Sequence, residues 1–217
     1  MKRLVIICEG QTEHEFCNDL LSDELKNHFD TMDFPLIKHS GGGIVAWSRL
    51  KNQIIRHLSE NNNTYVTTFI DYYGLTEELG YPSWAEAEAC CDKIEKMKLL
   101  EQGMKNDIPG NVNYRFIPYI QLHEFESLLY SNINVFREEY DEKDIDYAEL
   151  ESVASEFPTP EDINNGRRTA PSKRILHAVP GYNKVLDGNA LAMDIGLEEM
   201  KNKCLHFKEW IKMLKNV

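Results

Sequence analysis

The chain has 217 residues, of which 42% are hydrophobic and 28% are charged, a composition typical of a globular protein with one large domain or two small ones. Its formal net charge of −12 argues against a protein that coats nucleic acid through general electrostatic attraction. The charge does not exclude a nuclease, because acids that bind metal ions lower the net charge while the ions reverse the local field. The sequence lacks an apolar run of the roughly 20 residues needed to cross a bilayer, so we expect no membrane association.

The cysteines and the N-terminus indicate the cellular compartment. The five cysteines are odd in number and lack the spacing of a metal site, which predicts free thiols in a reducing environment. Met1-Lys2-Arg3 precedes a strand-length apolar run without a small-residue cleavage site, so the N-terminus is predicted to be a first strand and not a signal peptide. We therefore expect a cytoplasmic protein.

The first strand and the turn after it form the most informative segment of the chain. The apolar run Leu4–Cys8 predicts a strand that is buried on both faces. Gly10 permits a tight exit from that strand. Thr12 is expected to cap the following helix, with Glu15 three residues later completing a capping box.

Two acids flank this turn. Glu9 would stand at the carboxyl end of a central strand, where open α/β sheets bind their ligands, and Glu13 would lie in the first helical turn, close enough to share a cation. The alternative is that Glu9 is solvated at the rim of the sheet while Glu13 only complements the helix dipole.

Strand and helix patterns alternate through the first half of the chain, which predicts an α/β fold whose parallel strands are joined by crossover helices. Ser83 is the expected cap of the third helix. The predicted strands lie near Leu4–Cys8, Phe34–Lys38, Tyr65–Ile70 and Asn113–Tyr119, and the predicted helices near Glu13–His28, Ile44–Leu58, Trp84–Met104 and Gln121–Tyr130.

The second half of the chain has a different pattern. From Ser131 onward no segment reads as a convincing strand, and short helical patterns alternate with acidic segments. We therefore expect a mostly parallel central sheet of about four strands flanked by helices in residues 1–130. Residues 131–217 are expected to form a helical C-terminal extension that packs on this core, so that the chain is a single compact unit.

Acids that are distant in sequence are expected to meet at one edge of the sheet. Asp71 ends the third predicted strand, and Glu124 and Glu126 follow the fourth. Because parallel strands place their carboxyl ends on the same edge, these acids should lie close to Glu9 and Glu13. Carboxylates at such distances repel one another unless a cation intervenes, and hard oxygen ligands favour Mg²⁺ or Mn²⁺.

Each of these later acids also has a structural interpretation. Asp71 could simply initiate the turn that precedes Gly74. Glu124 and Glu126 could belong to the start of an ordinary amphipathic helix, where an acid complements the positive end of the dipole. The neighbouring His123 is either a ligand or a hydrogen-bonding histidine.

These motifs resemble those of a known family. The pattern Glu9-Gly10-x-Thr12-Glu13 and the acid after the third strand look like the Toprim domain, the metal-binding fold of topoisomerases, primases and the overcoming-lysogenization-defect nucleases. This resemblance covers about the first 130 residues. Nearly the whole chain also resembles a Toprim-related bacterial family of unknown function, through the following segments: Asp71-Tyr72-Tyr73-Gly74, Gln121-x-His123-Glu124-Phe125-Glu126, Pro160-Glu161-Asp162-Ile163-Asn164 and Ala170-Pro171-Ser172-Lys173-Arg174.

The resemblance implies roles for individual residues. Glu9 matches the Toprim glutamate, a metal ligand or general acid/base, and Glu13 matches the second acid of the nuclease branch. Asp71 matches the first aspartate of the Asp-x-Asp motif, but the second position is Tyr73, and a phenol is a poor Mg²⁺ ligand. Either Glu124 or Glu126 supplies the missing oxygen, or the chain binds fewer metal ions than an active nuclease needs.

A basic cluster lies in the predicted loops of the second half. Cations beside a metal site can bind a phosphodiester and stabilise the charge that develops on it, with Lys173 as the expected catalytic cation. The alternative is that these residues pair with the surrounding acids. The cluster consists of Arg167, Arg168, Lys173 and Arg174.

The sequence thus predicts a Toprim-like, Mg²⁺- or Mn²⁺-dependent phosphodiesterase that acts on nucleic acid, with Glu9 and Lys173 as its catalytic residues. Relatives in the resembling family look like partners of ATPases in antiviral defence, so the resemblance implies antiphage defence and an ATPase partner here. The alternatives are a non-catalytic Toprim-derived module that binds a partner, and a hydrolase of a small phosphoester. A homo-oligomer is compatible with the sequence.

Overall fold

A computed structural model of the protein describes residues 1–38, 43–163, 166 and 168–217. The strands are β1 (Arg3–Cys8), β2 (Thr31–Asp33), β3 (Thr64–Asp71), β4 (Phe116–Ile117) and β5 (Ile120–Gln121). The α-helices are α1 (Gln11–Phe16), α2 (Ser22–Leu25), α3 (Trp47–Glu60), α4 (Trp84–Glu88), α5 (Lys93–Asp107), α6 (Val135–Glu139), α7 (Tyr147–Glu156), α8 (Pro171–Ala178), α9 (Leu186–Lys203) and α10 (Leu205–Lys215). Shorter 3₁₀ segments include Tyr72–Gly74, Phe125–Ser131 and Pro160–Asp162.

The sheet confirms the predicted α/β class. Its strand order is β2-β1-β3-β4, with β5 pairing on β3 beyond β4, and the pairings among the described strands are parallel. The carboxyl ends of β1, β3 and β5 therefore share one edge. The described residues form five strands where about four were expected, because the pairing along β3 is split between β4 and β5, and β5 lies beyond the predicted end at Tyr119.

Pro118 causes this split. Proline has no N–H to donate to a sheet, so the pairing with β3 stops at Ile117 and resumes at Ile120. The Thr68 hydroxyl replaces the missing ladder bonds, since it accepts from the Tyr119 N–H at 3.0 Å and donates to the Tyr119 carbonyl at 2.9 Å. The expected single strand at Asn113–Tyr119 is thus wrong in both its extent and its continuity.

Several predicted boundaries in the first half are also wrong. The first helical segment changes to a π-helical turn at Cys17–Leu21 between α1 and α2. The edge strand forms at Thr31–Asp33, while the predicted segment Phe34–Lys38 contributes only a bridge between Leu36 and Cys8. The apolar character of Phe34–Lys38 reflects packing beside β1 and not membership of a regular strand.

The predicted helix Trp84–Met104 is broken between α4 and α5. Asp92 begins the second piece by accepting the Glu95 N–H at 2.9 Å, a standard N-cap interaction. Ser83 does stand at the N-cap of α4, but it is in the left-handed region with φ 58° and its side chain makes no cap hydrogen bond. The segment expected as a helix at Gln121–Tyr130 is a 3₁₀ helix that begins only at Phe125.

Both faces of the sheet are covered, as the continuous apolar run of β1 predicted. Leu4, Ile6 and Cys8 point into one hydrophobic cluster, and Val5 and Ile7 point into the other. This alternation follows from the two-residue period of a strand. Helices α3 and α5 cover the second face, whereas α1, α9 and α10 cover the first.

The C-terminal helices supply one wall of the core. Trp210 of α10 stacks on Tyr119 at a centroid distance of 4.2 Å and an interplanar angle of 7°, and its indole N–H donates to the Thr67 hydroxyl of β3 at 2.9 Å. Glu161, from the motif Pro160-Glu161-Asp162, accepts the N–H groups of His206 and Phe207 in the first turn of α10. The extension therefore packs directly against the sheet.

Two further observations concern the cysteines and the lengths of the helices. All five cysteines are free, and the sulfur atoms of Cys8 and Cys17 lie 4.0 Å apart in the core. In the part of the chain that the structure describes, no helix combines the length and the apolar character that a membrane span requires.

Removal of the Trp210 ring should destabilise the whole chain. We expect Trp210→Ala to lower the free energy of unfolding by about 3–5 kcal/mol, because it opens a cavity and removes the indole N–H that the buried Thr67 hydroxyl accepts. Urea denaturation followed by circular dichroism should show one transition at a lower midpoint. Met213→Ala on the same helix, at a side chain that is 42% exposed, should change stability by less than about 1 kcal/mol. A separate early transition in Trp210→Ala would contradict a single cooperative unit.

Candidate functional site

Glu9 and Asp71 meet at the carboxyl edge of the sheet. The Glu9 N–H donates to the Phe69 carbonyl at 3.0 Å, which continues the pairing of β1 with β3 by one residue. The Glu9 carboxylate turns toward the neighbouring strand, and its Oε2 accepts the backbone N–H of Asp71 at 2.9 Å. The Glu9 carboxylate is therefore fixed by the register of two central strands and is not a freely solvated group at the rim.

Glu13 is held in the first turn of α1, as predicted, but the cap differs from the prediction. The helix begins at Gln11 with Gly10 as its N-cap, so Thr12 is not the capping residue. Glu13 Oε2 accepts the Gly10 N–H at 2.8 Å, while the Glu15 side chain binds the Gln11 amide. The side chain of Glu13 is buried, which places its charge beneath the turn.

The Asp71 side chain is not used to build the turn that follows it. Tyr72–Gly74 forms one 3₁₀ turn with Asp71 at its N-cap, yet Asp71 makes no side-chain cap hydrogen bond. Its Oδ1 is buried and has no hydrogen-bond partner within the described ranges. The turn-initiating interpretation therefore explains the backbone but leaves the carboxylate unexplained.

Gly74 leaves room beside the pair. A Cβ built on Gly74 would lie 3.0 Å from Ile44 Cγ2 and 3.9 Å from Glu9 Oε1. A larger residue would therefore crowd Ile44 toward the Glu9 carboxylate. The Tyr73 side chain is 39% exposed, and its backbone N–H donates to the His123 carbonyl at 2.9 Å. The position that the sequence resemblance aligns with a second aspartate thus carries an exposed phenol.

Glu124 and Glu126 are both buried and each has a protein partner. Glu124 accepts the backbone N–H and the hydroxyl of Ser172, each at 3.0 Å, and so binds the first turn of α8. Glu126 Oε1 lies 2.9 Å from Lys184 Nζ, in a close ion pair rather than a well-directed hydrogen bond. The helix-start interpretation does not account for these contacts, because each side chain interacts with a distant segment of the chain.

Lys184 is the counter-ion of this acid cluster, which we define as Glu9, Glu13, Asp71, Glu124 and Glu126. It precedes α9, and its ammonium nitrogen also lies 3.8 Å from Glu124 Oε1. The Lys184 side chain is 44% exposed, which places this cation at the mouth of the cluster. Sequence reasoning missed Lys184, because no local pattern distinguishes it from other lysines in a helical region.

The acids of the cluster influence one another's ionisation. Burial raises the pKa of Asp71 well above its ordinary value, and the charges of Glu13, Glu9, Glu126 and Glu124 raise it further. Burial, together with the charge of Glu9, raises the pKa of Glu13 to about 7. Burial also raises the pKa of Glu9 and of Glu126, although the charge of Lys184 opposes both shifts. Desolvation and mutual repulsion thus disfavour full ionisation without added positive charge.

The donor chemistry of the cluster suits a hard divalent cation. Among the described residues, no group of three or more His, Cys, Asp or Glu side chains is arranged as a ready-made ligand set. Mg²⁺ does not need one, since it keeps several waters and binds through one or two carboxylates together with substrate phosphates. The adjacent Glu9 and Asp71, with Asp71 Oδ1 unpartnered, provide such a pair.

His123 lies beside the cluster in an unusual conformation. Its φ of 66° is in the left-handed region, which is uncommon for a residue with a side chain. Its ring is buried, and neither ring nitrogen has a hydrogen-bond partner in the described part of the chain. Burial, assisted by the charge of Lys93, lowers the pKa of His123 to about 4, so the ring is neutral near pH 7.

The predicted phosphate-binding cluster is only partly near the acids. Lys173 is exposed in the first turn of α8, next to the Ser172 that binds Glu124, and Arg168 is also exposed. The Arg174 guanidinium instead donates to the Thr169 carbonyl at 2.9 Å and lies 3.6 Å from Glu156, which fits the ion-pair alternative. Arg167 lies outside the described residues.

Comparison with known proteins identifies the family of the chain. Residues 8–215 match the family model described as a domain of unknown function (DUF4276), and the chain therefore belongs to that family. No curated protein matches the chain significantly. No solved structure matches it significantly either.

The raised pKa of Glu13 predicts an unusual pH dependence of stability. Between pH 4.5 and about 7 the unfolded chain has lost the Glu13 proton while the folded chain retains it, so stability falls as the pH rises through this range. Glu13→Gln keeps an oxygen that can accept the Gly10 N–H and removes the charge. We expect it to raise the free energy of unfolding at pH 8 by up to about 3 kcal/mol, with convergence to wild type below pH 4.5.

Urea denaturation from pH 4 to pH 8 measures this effect. Glu151→Gln, at an exposed position of α7, removes the same charge outside the cluster and should leave the curve close to wild type. Equal stability of Glu13→Gln and wild type at pH 8 would contradict the buried, repelled carboxylate.

Proposed function

We propose that this member of the DUF4276 family is a Mg²⁺- or Mn²⁺-dependent phosphodiesterase that acts on nucleic acid. The observation that carries the proposal is the convergence of the acid cluster on one sheet edge, with the Glu9 carboxylate bound to the Asp71 backbone and Asp71 Oδ1 unpartnered. Buried carboxylates with raised pKa values at the carboxyl edge of a sheet are typical of a functional site. A divalent cation would relieve their mutual repulsion.

Individual residues of the cluster have distinct proposed roles. Glu9 and Asp71 would hold the cation, and Glu13 would complete a second site. When bound, such an ion lowers the pKa of a coordinated water and stabilises the leaving oxygen. Ser172 keeps Glu124 in place within the acid cluster. Glu124 and Glu126 are negatively charged and would repel a phosphate. Lys184 lies near both and would offset that repulsion.

Lys184 is the cation best placed to contact the substrate. Its ammonium group is at the mouth of the cluster and has three N–H donors. One of them can donate to a phosphate oxygen while the group stays near Glu126. Burial lowers the pKa of Lys184, but the charges of Glu126 and Glu124 outweigh that effect and raise it, which keeps the group protonated. Lys173, predicted for this role from the sequence, lies outside the cluster and would contact the nucleic acid further along.

The assignment to nucleic acid rests on the resemblance of the motifs to Toprim nucleases. Glu9-Gly10-x-Thr12-Glu13 and Asp71 occupy the turn after β1 and the end of β3, which is where that family carries its acids. The same resemblance supports a Toprim-like classification of the fold, a role in antiphage defence and a partner ATPase.

A non-catalytic binding module is the second candidate. Tyr73 replaces an expected carboxylate, and the two glutamates that might replace it are already engaged by Ser172 and Lys184. The acid cluster would then bind one cation or none, and the protein would act through its partner.

Metal binding and strand cleavage separate the two candidates. Isothermal titration of the protein with Mn²⁺ should show binding that Glu9→Gln and Asp71→Asn each weaken at least about tenfold, because loss of even an outer partner of a metal ligand has such an effect. Glu151→Gln is the matched control. Plasmid nicking in Mn²⁺ should disappear with the same two variants and persist in the control.

The variant Lys184→Met separates the role of the proposed metal ligands, Glu9 and Asp71, from the role of Lys184 as the proposed phosphate contact. We expect tighter Mn²⁺ binding, because a competing cation is removed, together with a loss of nicking of about 100-fold. Mn²⁺ binding without nicking of any nucleic acid, even with a candidate ATPase partner present, would favour the binding module. Absence of Mn²⁺ binding to wild type would reject the metal-dependent mechanism.

A further inference from the structure

A basic pocket lies between α3 and the end of the segment Phe34–Lys38. The pocket has a volume of about 450 Å³ and is lined by Lys38, Arg49, Asn52, Gln53 and Arg56. The four residues from α3 are spaced i, i+3, i+4 and i+7, so they share one face of that helix. Among the described residues that line it there is no acid and no aromatic ring.

The three cations of the basic pocket are exposed. Within the described ranges, Lys38, Arg49 and Arg56 have no acid within ion-pair distance, although acids outnumber bases by 36 to 24 in the chain. Lys51 of the same helix shows the contrast, since its ammonium lies 2.8 Å from Asp107. Like charges that remain together without counter-ions destabilise a protein locally unless an anion binds between them.

Gln53 joins the two segments that form the pocket. Its side chain is buried, accepts the Lys38 N–H at 2.9 Å and donates to the Leu36 carbonyl at 3.0 Å. These two bonds attach the segment before the pocket to α3 and fix Lys38 beside the helix face that carries Arg49 and Arg56. The pocket is therefore held by a buried polar contact and is not a chance grouping of surface side chains.

The basic pocket is close to the acid cluster along the sheet edge. The Cys8 N–H donates to the Pro35 carbonyl at 2.9 Å, and the Ile37 N–H donates to the Cys8 carbonyl at 3.0 Å. Lys38 thus follows a segment that runs beside the end of β1. Glu9 is the first residue after β1. Adjacent strands are separated by about 4.8 Å, so the backbone that leads to Lys38 lies about one strand spacing from the exit of β1 that carries Glu9.

We propose that the basic pocket binds the phosphodiester backbone of the nucleic acid on its way to the acid cluster. This inference rests on the proposed function, whose substrate it describes further. Arginine and lysine contacts without stacking partners read phosphates and not bases, which implies binding with little sequence preference and strong salt dependence. Asn52 would add a neutral hydrogen bond to a phosphate oxygen.

Fluorescence anisotropy with labelled 20-nucleotide single-stranded and duplex DNA tests this proposal. EDTA is included throughout, so that neither cleavage nor metal binding contributes. We expect Arg49→Gln/Arg56→Gln to reduce the slope of log K against log salt by about 1.4 for the single strand or about 1.8 for the duplex, since each lost phosphate contact removes about 0.7 or 0.9. Lys51→Gln on the same helix is the matched control and should keep the wild-type slope.

The possible outcomes separate this inference from the proposed function. A reduced slope in the double variant supports phosphate binding by the basic pocket, whether or not wild type nicks DNA. Absence of nicking by wild type would count only against the proposed phosphodiesterase activity. An unchanged slope in a folded double variant, judged by its circular dichroism and thermal midpoint, overturns the pocket even if nicking persists. A third outcome is that neither DNA probe binds, while inorganic tripolyphosphate raises the thermal midpoint of wild type but not of the double variant. This outcome assigns the pocket to a small phosphorylated ligand and also overturns the inference.

Discussion

The parallel pairing of β1 with β3 determines where the acids of this protein lie. Six residues of β1 pair with β3 in continuous register, and the pairing extends through Glu9 to the carbonyl of Phe69. That register brings the Glu9 carboxylate to the backbone N–H of Asp71, the one direct bond between the two candidate ligands. Because side chains alternate along a strand, a shift by one residue would move both acids and reverse the faces of β1.

The C-terminal half is required to complete the same site. Ser172 at the start of α8 binds Glu124, and Lys184 before α9 pairs with Glu126, so the second half of the chain provides the polar partners of buried acids from the first. A buried carboxylate without such partners would carry a desolvation cost of several kcal/mol. The helical extension thus contacts the first half of the chain both through Trp210 and through the partners of the buried acids. Separation of the two halves would lose both sets of interactions.

The sequence contained enough information for the central strands and for the acids that directly follow them. Leu4–Cys8 and Tyr65–Ile70 are apolar runs of strand length, and Glu9 and Asp71 stand at their ends, so local pattern and topology together place these acids at one edge. The partners of Glu124 and Glu126 could not be predicted this way, because Ser172 and Lys184 reach the edge through the packing of helices far along the chain. The break at Pro118 was missed for a related reason, since the Thr68 side chain that repairs it lies on another strand.

Exposed basic groups and buried acidic groups are separate in this protein, and this separation would reconcile a net charge of −12 with the anionic substrate that we propose. The acids of the cluster are largely buried and partly neutralised by Lys184, whereas Lys38, Arg49 and Arg56 are exposed and lack acid partners among the described residues. Under the proposal above, a phosphate that approaches from solvent would contact these exposed cations. Salt screens interactions between exposed charges beyond about 8–10 Å, so this local arrangement governs the approach of a charged ligand more than the total charge of the chain does.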